Sequence, residues 1–214
     1  MRRGVILLLS CNANRGRWPR IREEWLDATG IPYVFVVGDP NDDNDECVLH
    51  VPCDDGYDAL PQKVALAMCA IHTRYRPDYV LKIDDDVVAS PAILKSASSG
   101  IPPHVRYGGK VIRCNGITVH GADKFSNPAN CTPMHMKATY CGGPAYFVDA
   151  HALSVLAVHM QKEALGARYE DVLVGTVLQK HGIFPEPLPI YTDREAEFRV
   201  GKFAAWHNSR GIVV

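Results

Sequence analysis

Three short apolar runs without polar alternation, residues 5–9, 33–37 and 79–83, constrain this chain more tightly than anything else in it. A strand that is apolar at nearly every position has both faces covered, so these runs read as central strands between layers of helix. Between them lie segments of helical spacing. One, Pro19 to Ala28, gathers Ile21, Trp25 and Leu26 on one side; a longer one, about Asp58 to Arg74, gathers Leu60, Val64, Ala67, Met68 and Ile71. Strand and helix alternate in the order of a mostly parallel α/β sheet flanked by helices. Ligands of such sheets bind outside the carboxyl ends of the strands. Ser10-Cys11-Asn12, Gly38-Asp39 and Asp84-Asp85-Asp86 follow those ends.

The second half is less regular. A helix is expected over Ala89–Ser98, a strand over Val105–Arg113 and a strand return at Tyr146–Val148. Helices are expected over Ala150–Lys162 and from Tyr169 to His181, the latter stopped by Gly182. Asn115–Lys137, rich in Gly, Pro, Asn and His, reads as an irregular functional loop. No repeat or linker divides the 214 residues, so one domain is expected, alone or as a module of a longer polypeptide.

The chain is 47% apolar with a net charge of −1, which excludes a disordered chain. No basic patch is interleaved with aromatics, so a small-molecule ligand is favoured over nucleic acid. Arg2-Arg3 followed by Val5–Leu9 imitates a signal peptide, yet five apolar residues are too few for export or a membrane span. Seven scattered cysteines lack zinc spacing, and reduced thiols in a cytoplasmic setting are expected. Cys11, Cys69 and Cys141 read as small core residues, with a Cys47–Cys53 disulfide as the alternative use of the loop cysteines.

The aspartate triplet is the clearest chemical signal. Two carboxylates about 5 Å apart repel by about 3 kcal/mol at an effective dielectric near 20. The triplet is either a solvated acidic turn before the helix at Pro91 or a site for a divalent cation with oxygen ligands. On extended backbone Asp84 and Asp86 face one way and Asp85 the other. Glu170-Asp171 opens a helix, where a carboxylate serves either as a cap or as a general base. Asp84-x-Asp86-x-Val88 also fits the nucleophile motif of haloacid-dehalogenase-like phosphatases. That motif ends a chain's first strand, whereas two strands precede it here, and the later Ser/Thr, Lys and acidic cluster are not evident. A non-catalytic sugar-nucleotide-binding module is the third reading, but it would leave Glu170-Asp171 without a task.

In order, Arg17, Ile21, Arg22 and Trp25; Phe35-Val36-Val37-Gly38; Asp55, Tyr57 and Lys63; the run 79–87; Tyr140-Cys141-Gly142-Gly143-Pro144-Ala145-Tyr146; and Glu170-Asp171-Val172-Leu173-Val174-Gly175 resemble the motifs of glycosyltransferase family 31. This is the family of β-1,3-galactosyl-, N-acetylglucosaminyl- and fringe-type transferases. Pro144 and Ala145 stand where it usually has glycines, and the family's amino-terminal membrane anchor is not expected here. Soluble forms of this kind occur in bacteria and large algal DNA viruses, where the host cytoplasm would be the setting.

The resemblance implies a GT-A fold with a nucleotide-binding half at 1–88 and an acceptor-side and catalytic half at 89–214. It implies an inverting transferase that uses Mn²⁺ or Mg²⁺ to move a sugar from a UDP-sugar to a glycan or glycoprotein hydroxyl, forming a β linkage. Asp86 is then the principal metal ligand, Asp84 reaches the ion through water or contacts ribose, and His207 completes the coordination. Asp85 supports them beside the nucleotide. Asp171 is the base and Glu170 its support. Ser10, Asn12 and Asp39 are expected at the nucleotide, Arg17 or Arg22 at the base or diphosphate, and Lys63 at the nucleotide. Gly142-Gly143 would let the backbone approach the donor sugar closely.

Overall fold

The computed structural model describes residues 2–38, 45–119, 134–192 and 205–207. The first apolar run forms β1 (Gly4–Leu9), buried at every position. It pairs in parallel with β2 (Tyr33–Gly38) on one side and β4 (Tyr79–Asp84) on the other. β3 (Val48–Val51) extends the parallel part beyond β2. Past β4 the direction changes. β7 (Met134–Asp149) is antiparallel to β4, β6 (Tyr107–Val119) is antiparallel to β7, and β8 (Glu186–Pro187) runs parallel to β6. The order is β3-β2-β1-β4-β7-β6-β8. A smaller sheet joins β5 (Val87–Ala89), β10 (Ala205–His207) and β9 (Tyr191–Thr192), with β10 in the middle.

Period-two alternation splits the core into two layers. Val5, Leu7, Val34, Val36 and Val80 face α2 (Leu60–Tyr75), α4 (Ala150–Ala164) and α5 (Glu170–Lys180), which contribute Val64, Met68, Leu156 and Val177. Ile6, Leu8, Phe35, Leu81 and Ile83 face Trp18, Ile21, Trp25 and Leu26 together with Leu94. Leu94 stands on α3 (Pro91–Gly100). Lys82 shares the Val80 side of β4, an ammonium among apolar neighbours on the helix-bearing face.

Three expectations need adjusting. The helix expected over Pro19–Ala28 is a composite: a 3-10 turn at Asn12–Arg17, the short α1 (Trp18–Ile21), a π turn at Arg22–Leu26 and a 3-10 turn at Asp27–Thr29. Gly30, at φ 63°, ends it. The Asn115–Lys137 stretch is not loop throughout, because residues 115–119 and 134–137 are arms of the β6–β7 hairpin. Its middle lies outside the described residues. The ladder shifts register between Gly109 and Val111 and between Asn115 and Ile117, which is how it absorbs a sequence without clean alternation. Finally, Cys141 is buried as expected, but Cys11 and Cys69 are only half-buried, while Cys114 is in the core. Cys47 and Cys53 are free thiols. Among the described residues no helix is long and apolar enough to cross a membrane.

Candidate active site

The strand ends converge as the element order requires. Leu9 pairs with Asp84, and the Asp85 amide donates to the Leu9 carbonyl at 3.1 Å, so the aspartate turn closes directly over the end of β1. A cleft of about 530 Å³ opens there. Its walls include Ser10 and Asn14 after β1, Asp55 and Tyr57 before α2, Lys63 on α2, and the three aspartates 84–86. That volume suits a small-molecule ligand.

The three aspartates have different surroundings. Asp85 accepts from the Ser10 hydroxyl at 2.5 Å and the Asn14 amide at 3.0 Å, and the same Ser10 oxygen accepts from Trp18 Nε1 at 2.9 Å. Burial raises the Asp85 pKa, while Ser10, Asn14 and the exposed Arg17 pull against it. Asp85 thus fastens the turn to β1, and the Ser10 hydroxyl is held between Asp85 and Trp18.

Asp84 points to the other side. Its Oδ1 accepts from Lys82 Nζ at 2.5 Å, and Lys82 also donates to the Gly143 carbonyl at 2.5 Å and to Glu170 Oε1 at 2.8 Å. Burial, with Asp86 and Glu170 adding to it, pushes Asp84 up to about 7 despite Lys82. For Lys82 itself burial works downward, and Asp84 and Glu170 outweigh it, so its pKa is raised.

The second acidic pair begins α5. Glu170 is buried, with one oxygen on Lys82 and the other accepting from the Tyr146 hydroxyl at 3.2 Å. Asp171 is half-buried and accepts from the Gly143 amide at 3.1 Å. Burial and the neighbouring Glu170 push Asp171 up to about 6. Tyr57, which walls the cleft, is pushed up to about 12 by burial and by Asp171 and Asp84.

Several residues expected at the nucleotide make bonds within the protein, Lys63 among them although it also lines the cleft. Lys63 is fully buried and donates to Asp55 Oδ1 at 2.6 Å, the Ser10 carbonyl at 3.0 Å and the Asp55 carbonyl at 3.1 Å. An ammonium has three protons, and these three acceptors use them. Asp55 also accepts from the backbone amides of Gly38 at 2.6 Å and Asn12 at 2.5 Å. The Asn12 side chain spans the Gly38 carbonyl at 3.0 Å and Arg15 Nε at 2.7 Å. Lys63 and Asn12 are therefore struts that hold the strand ends apart at a set distance. Arg22 is not brought to the cleft: it pairs with Asp45 at 3.1 Å and lies over Phe35 at 5.3 Å. Arg17 remains at the rim, within electrostatic reach of Asp85. Asp39 lies outside the described residues.

The glycine pair also has an internal use. A Cβ on Gly142 would lie 2.2 Å from the Tyr191 hydroxyl, so the absence of a side chain there makes room for Tyr191. A Cβ on Gly143 would lie 3.4 Å from both Asp171 and Glu170, an ordinary contact. Gly143 matters instead through its backbone, which bonds Lys82 and Asp171.

Among the described residues no group of three or more His, Cys, Asp and Glu side chains is arranged to hold a metal ion. Asp84 and Asp86 supply the hard oxygen donors that Mn²⁺ and Mg²⁺ prefer. The upward push on Asp84 comes first from burial of the carboxylate and then from Asp86 and Glu170, and a nearby cation would favour its ionised form. The backbone of His207 lies opposite Val87, one residue beyond Asp86. The donor set accordingly fits a divalent cation, with His207 close in the chain register to the aspartate turn. Sequence reasoning overlooked Lys82 as a site residue. The signal was present, as a lysine in an otherwise apolar central strand.

Comparison with known proteins agrees with this architecture. The family model described as Galactosyltransferase matches residues 11–189. No curated protein matches the chain. A solved glycosyltransferase involved in the glycosylation of the major capsid of PBCV-1 is similar in fold, with a TM-score of 0.52, 15% identity, and coverage of 97% of this chain and 94% of that one. The crystal structure of A197 from STIV gives a TM-score of 0.49 at 14% identity, over 88% of this chain and 82% of that one. With the family model spanning both the aspartate turn and the start of α5, the chain belongs to the galactosyltransferase family of glycosyltransferases.

Proposed function

We propose that the protein is an inverting, divalent-cation-dependent glycosyltransferase that moves a sugar from a UDP-sugar to a glycan hydroxyl and leaves a β linkage. The observation that carries this reading is the joining of two acidic sites. Asp84 at the strand-end cleft and Asp171 at the start of α5 are both tied to the Gly143 peptide, one through Lys82 and one directly.

The cleft accepts the nucleotide diphosphate between the end of β1 and the segment before α2. Asp84, Asp86 and His207 would hold the cation. A bound Mn²⁺ or Mg²⁺ supplies Lewis-acid neutralisation of the negative charge that develops on the diphosphate leaving group. Asp171 accepts the proton of the acceptor hydroxyl as that oxygen attacks the anomeric carbon from the face opposite the diphosphate. The Gly143 amide orients the Asp171 carboxylate, and Glu170, bonded through both oxygens, holds the helix start in place.

The test is release of UDP from a panel of UDP-sugars with Mn²⁺, with and without glycan acceptors. Asp171→Asn should reduce transfer by about 100-fold or more, the size of a general-base contribution, with donor affinity nearly unchanged. Asp86→Ala should abolish the response to Mn²⁺. Tight donor binding without turnover on any acceptor would overturn the reading in favour of a binding module. Hydrolysis of phosphomonoesters in its place would favour a phosphatase.

A further inference from the structure

Lys82 lies where an apolar residue would be expected, is essentially inaccessible to solvent at 1% exposure, and uses its three protons on three different elements. Asp84 ends β4, Gly143 lies within β7 and Glu170 starts α5. The Tyr146 ring sits 5.5 Å from the ammonium, and its hydroxyl holds the second Glu170 oxygen. Two routes therefore lead from Asp84 to the start of α5. One runs from Lys82 through Glu170. The other runs from Lys82 through the Gly143 carbonyl and, across the same residue, from the Gly143 amide to Asp171. A closed frame of this kind resists rotation as well as translation of the helix start.

Resting on the proposed transferase reading, we propose that Lys82 is a positioning residue. It sets the distance between the donor-side carboxylate of Asp84 and the proton-accepting carboxylate of Asp171, and thereby between donor and acceptor. It touches neither substrate itself. The shape of the side chain supports this. An ammonium on a flexible stem meets three convergent acceptors that come from different directions, whereas a guanidinium offers its donors in one plane. The frame also carries a net negative charge: Asp84, Glu170 and Asp171 are bound into it against one ammonium. An uncharged residue at position 82 would leave these carboxylates to repel and move apart.

The experiment compares wild type with two variants, Lys82→Arg and the double variant Lys82→Met with Glu170→Gln. The second removes both members of the buried ion pair, so neither charge is stranded. Folding is followed by circular dichroism and thermal unfolding, and UDP affinity in the presence of Mn²⁺ by calorimetry. Transfer to an acceptor and hydrolysis of the donor by water are measured separately. In folded variants, kcat for transfer should fall about 100-fold, the effect of a misplacement near 1 Å. UDP affinity should change by less than about 10-fold, and the ratio of transfer to hydrolysis should drop at least about 10-fold, because water needs no oriented acceptor. A purely structural lysine would lower transfer and hydrolysis together, in proportion to the folded fraction; that result, or transfer within a few-fold of wild type, overturns the proposal. If neither double nor single variant folds, Glu170→Gln alone decides, since it keeps an oxygen for Lys82 and should lower the same ratio. An unchanged ratio there also overturns it. Failure of wild type to transfer from any UDP-sugar would instead count against the transferase reading.

Discussion

Asp171 and Glu170 are neighbours in sequence, yet their surroundings differ. Glu170 is buried and held by Lys82 and Tyr146, while Asp171 is half-buried and accepts from the Gly143 amide across the gap to β7 and from the amide of its neighbour Val172. Burial and the charge of Glu170 push Asp171 up to about 6. A carboxylate accepts a proton only when ionised, so transfer should rise with pH through about 6 and level off above it. The profile of kcat/KM against pH checks this in the free enzyme. An acidic limb near 4, unchanged in Asp171→Asn, would remove Asp171 from the role of base. The sequence made both carboxylates visible as a pair at a helix start, but nothing local separated anchor from base. Their difference is set by Lys82 and Tyr146, which arrive from other strands.

At the scale of elements, α5 delivers Asp171, and its seat on β7 determines where that carboxylate stands. Gly175 is the point of closest approach: a Cβ there would lie 2.5 Å from Tyr140 Cβ and 2.9 Å from the Thr139 carbonyl. Gln179 fastens the next turn of the helix to the same Thr139 carbonyl. Gly175→Ala should therefore force the helix off the strand and destabilise the protein by about 1–3 kcal/mol, the usual cost of overpacking. Urea unfolding measures that loss, and transfer should fall in the fraction that remains folded. The helix was readable from residue type and spacing, while Gly175 stood out only through the family resemblance. The β6–β7 hairpin was legible only at residues 107–113 and 146–148; its remaining length was not, because its bulges interrupt the alternation by which a strand announces itself.

Taken as a whole, the molecule concentrates unfavourable charge at one edge of its sheet. Asp84 is pushed up to about 7 from an ordinary value of 3.8, so between those limits the folded state holds more protons than the unfolded chain. This contribution to stability is present on the acid side and is lost as pH rises through about 7. In EDTA, the melting temperature should thus be higher at pH 6 than at pH 8. Excess Mn²⁺ should raise it most at pH 8, because Asp84 is then ionised and the proton no longer competes with the cation for it. Thermal unfolding at the two pH values, with and without the metal, tests the expectation; an Mn²⁺ response absent at pH 8 would contradict it.

The sequence by itself determined the alternation of strand and helix, the burial of the central strands and the gathering of polar residues at their carboxyl ends. These depend on local periodicity and on the order of elements, which a linear reading contains. Only the tertiary structure decided which polar atoms face the cleft and which hold the cleft in shape. Lys63 reaches back 53 residues to the Ser10 carbonyl, and Lys82 reaches forward 88 residues to Glu170. A lysine on a helix and a lysine in a strand have the same donors wherever they stand. Whether those donors serve a ligand or a neighbouring carboxylate is decided by what the packed chain brings within about 3 Å.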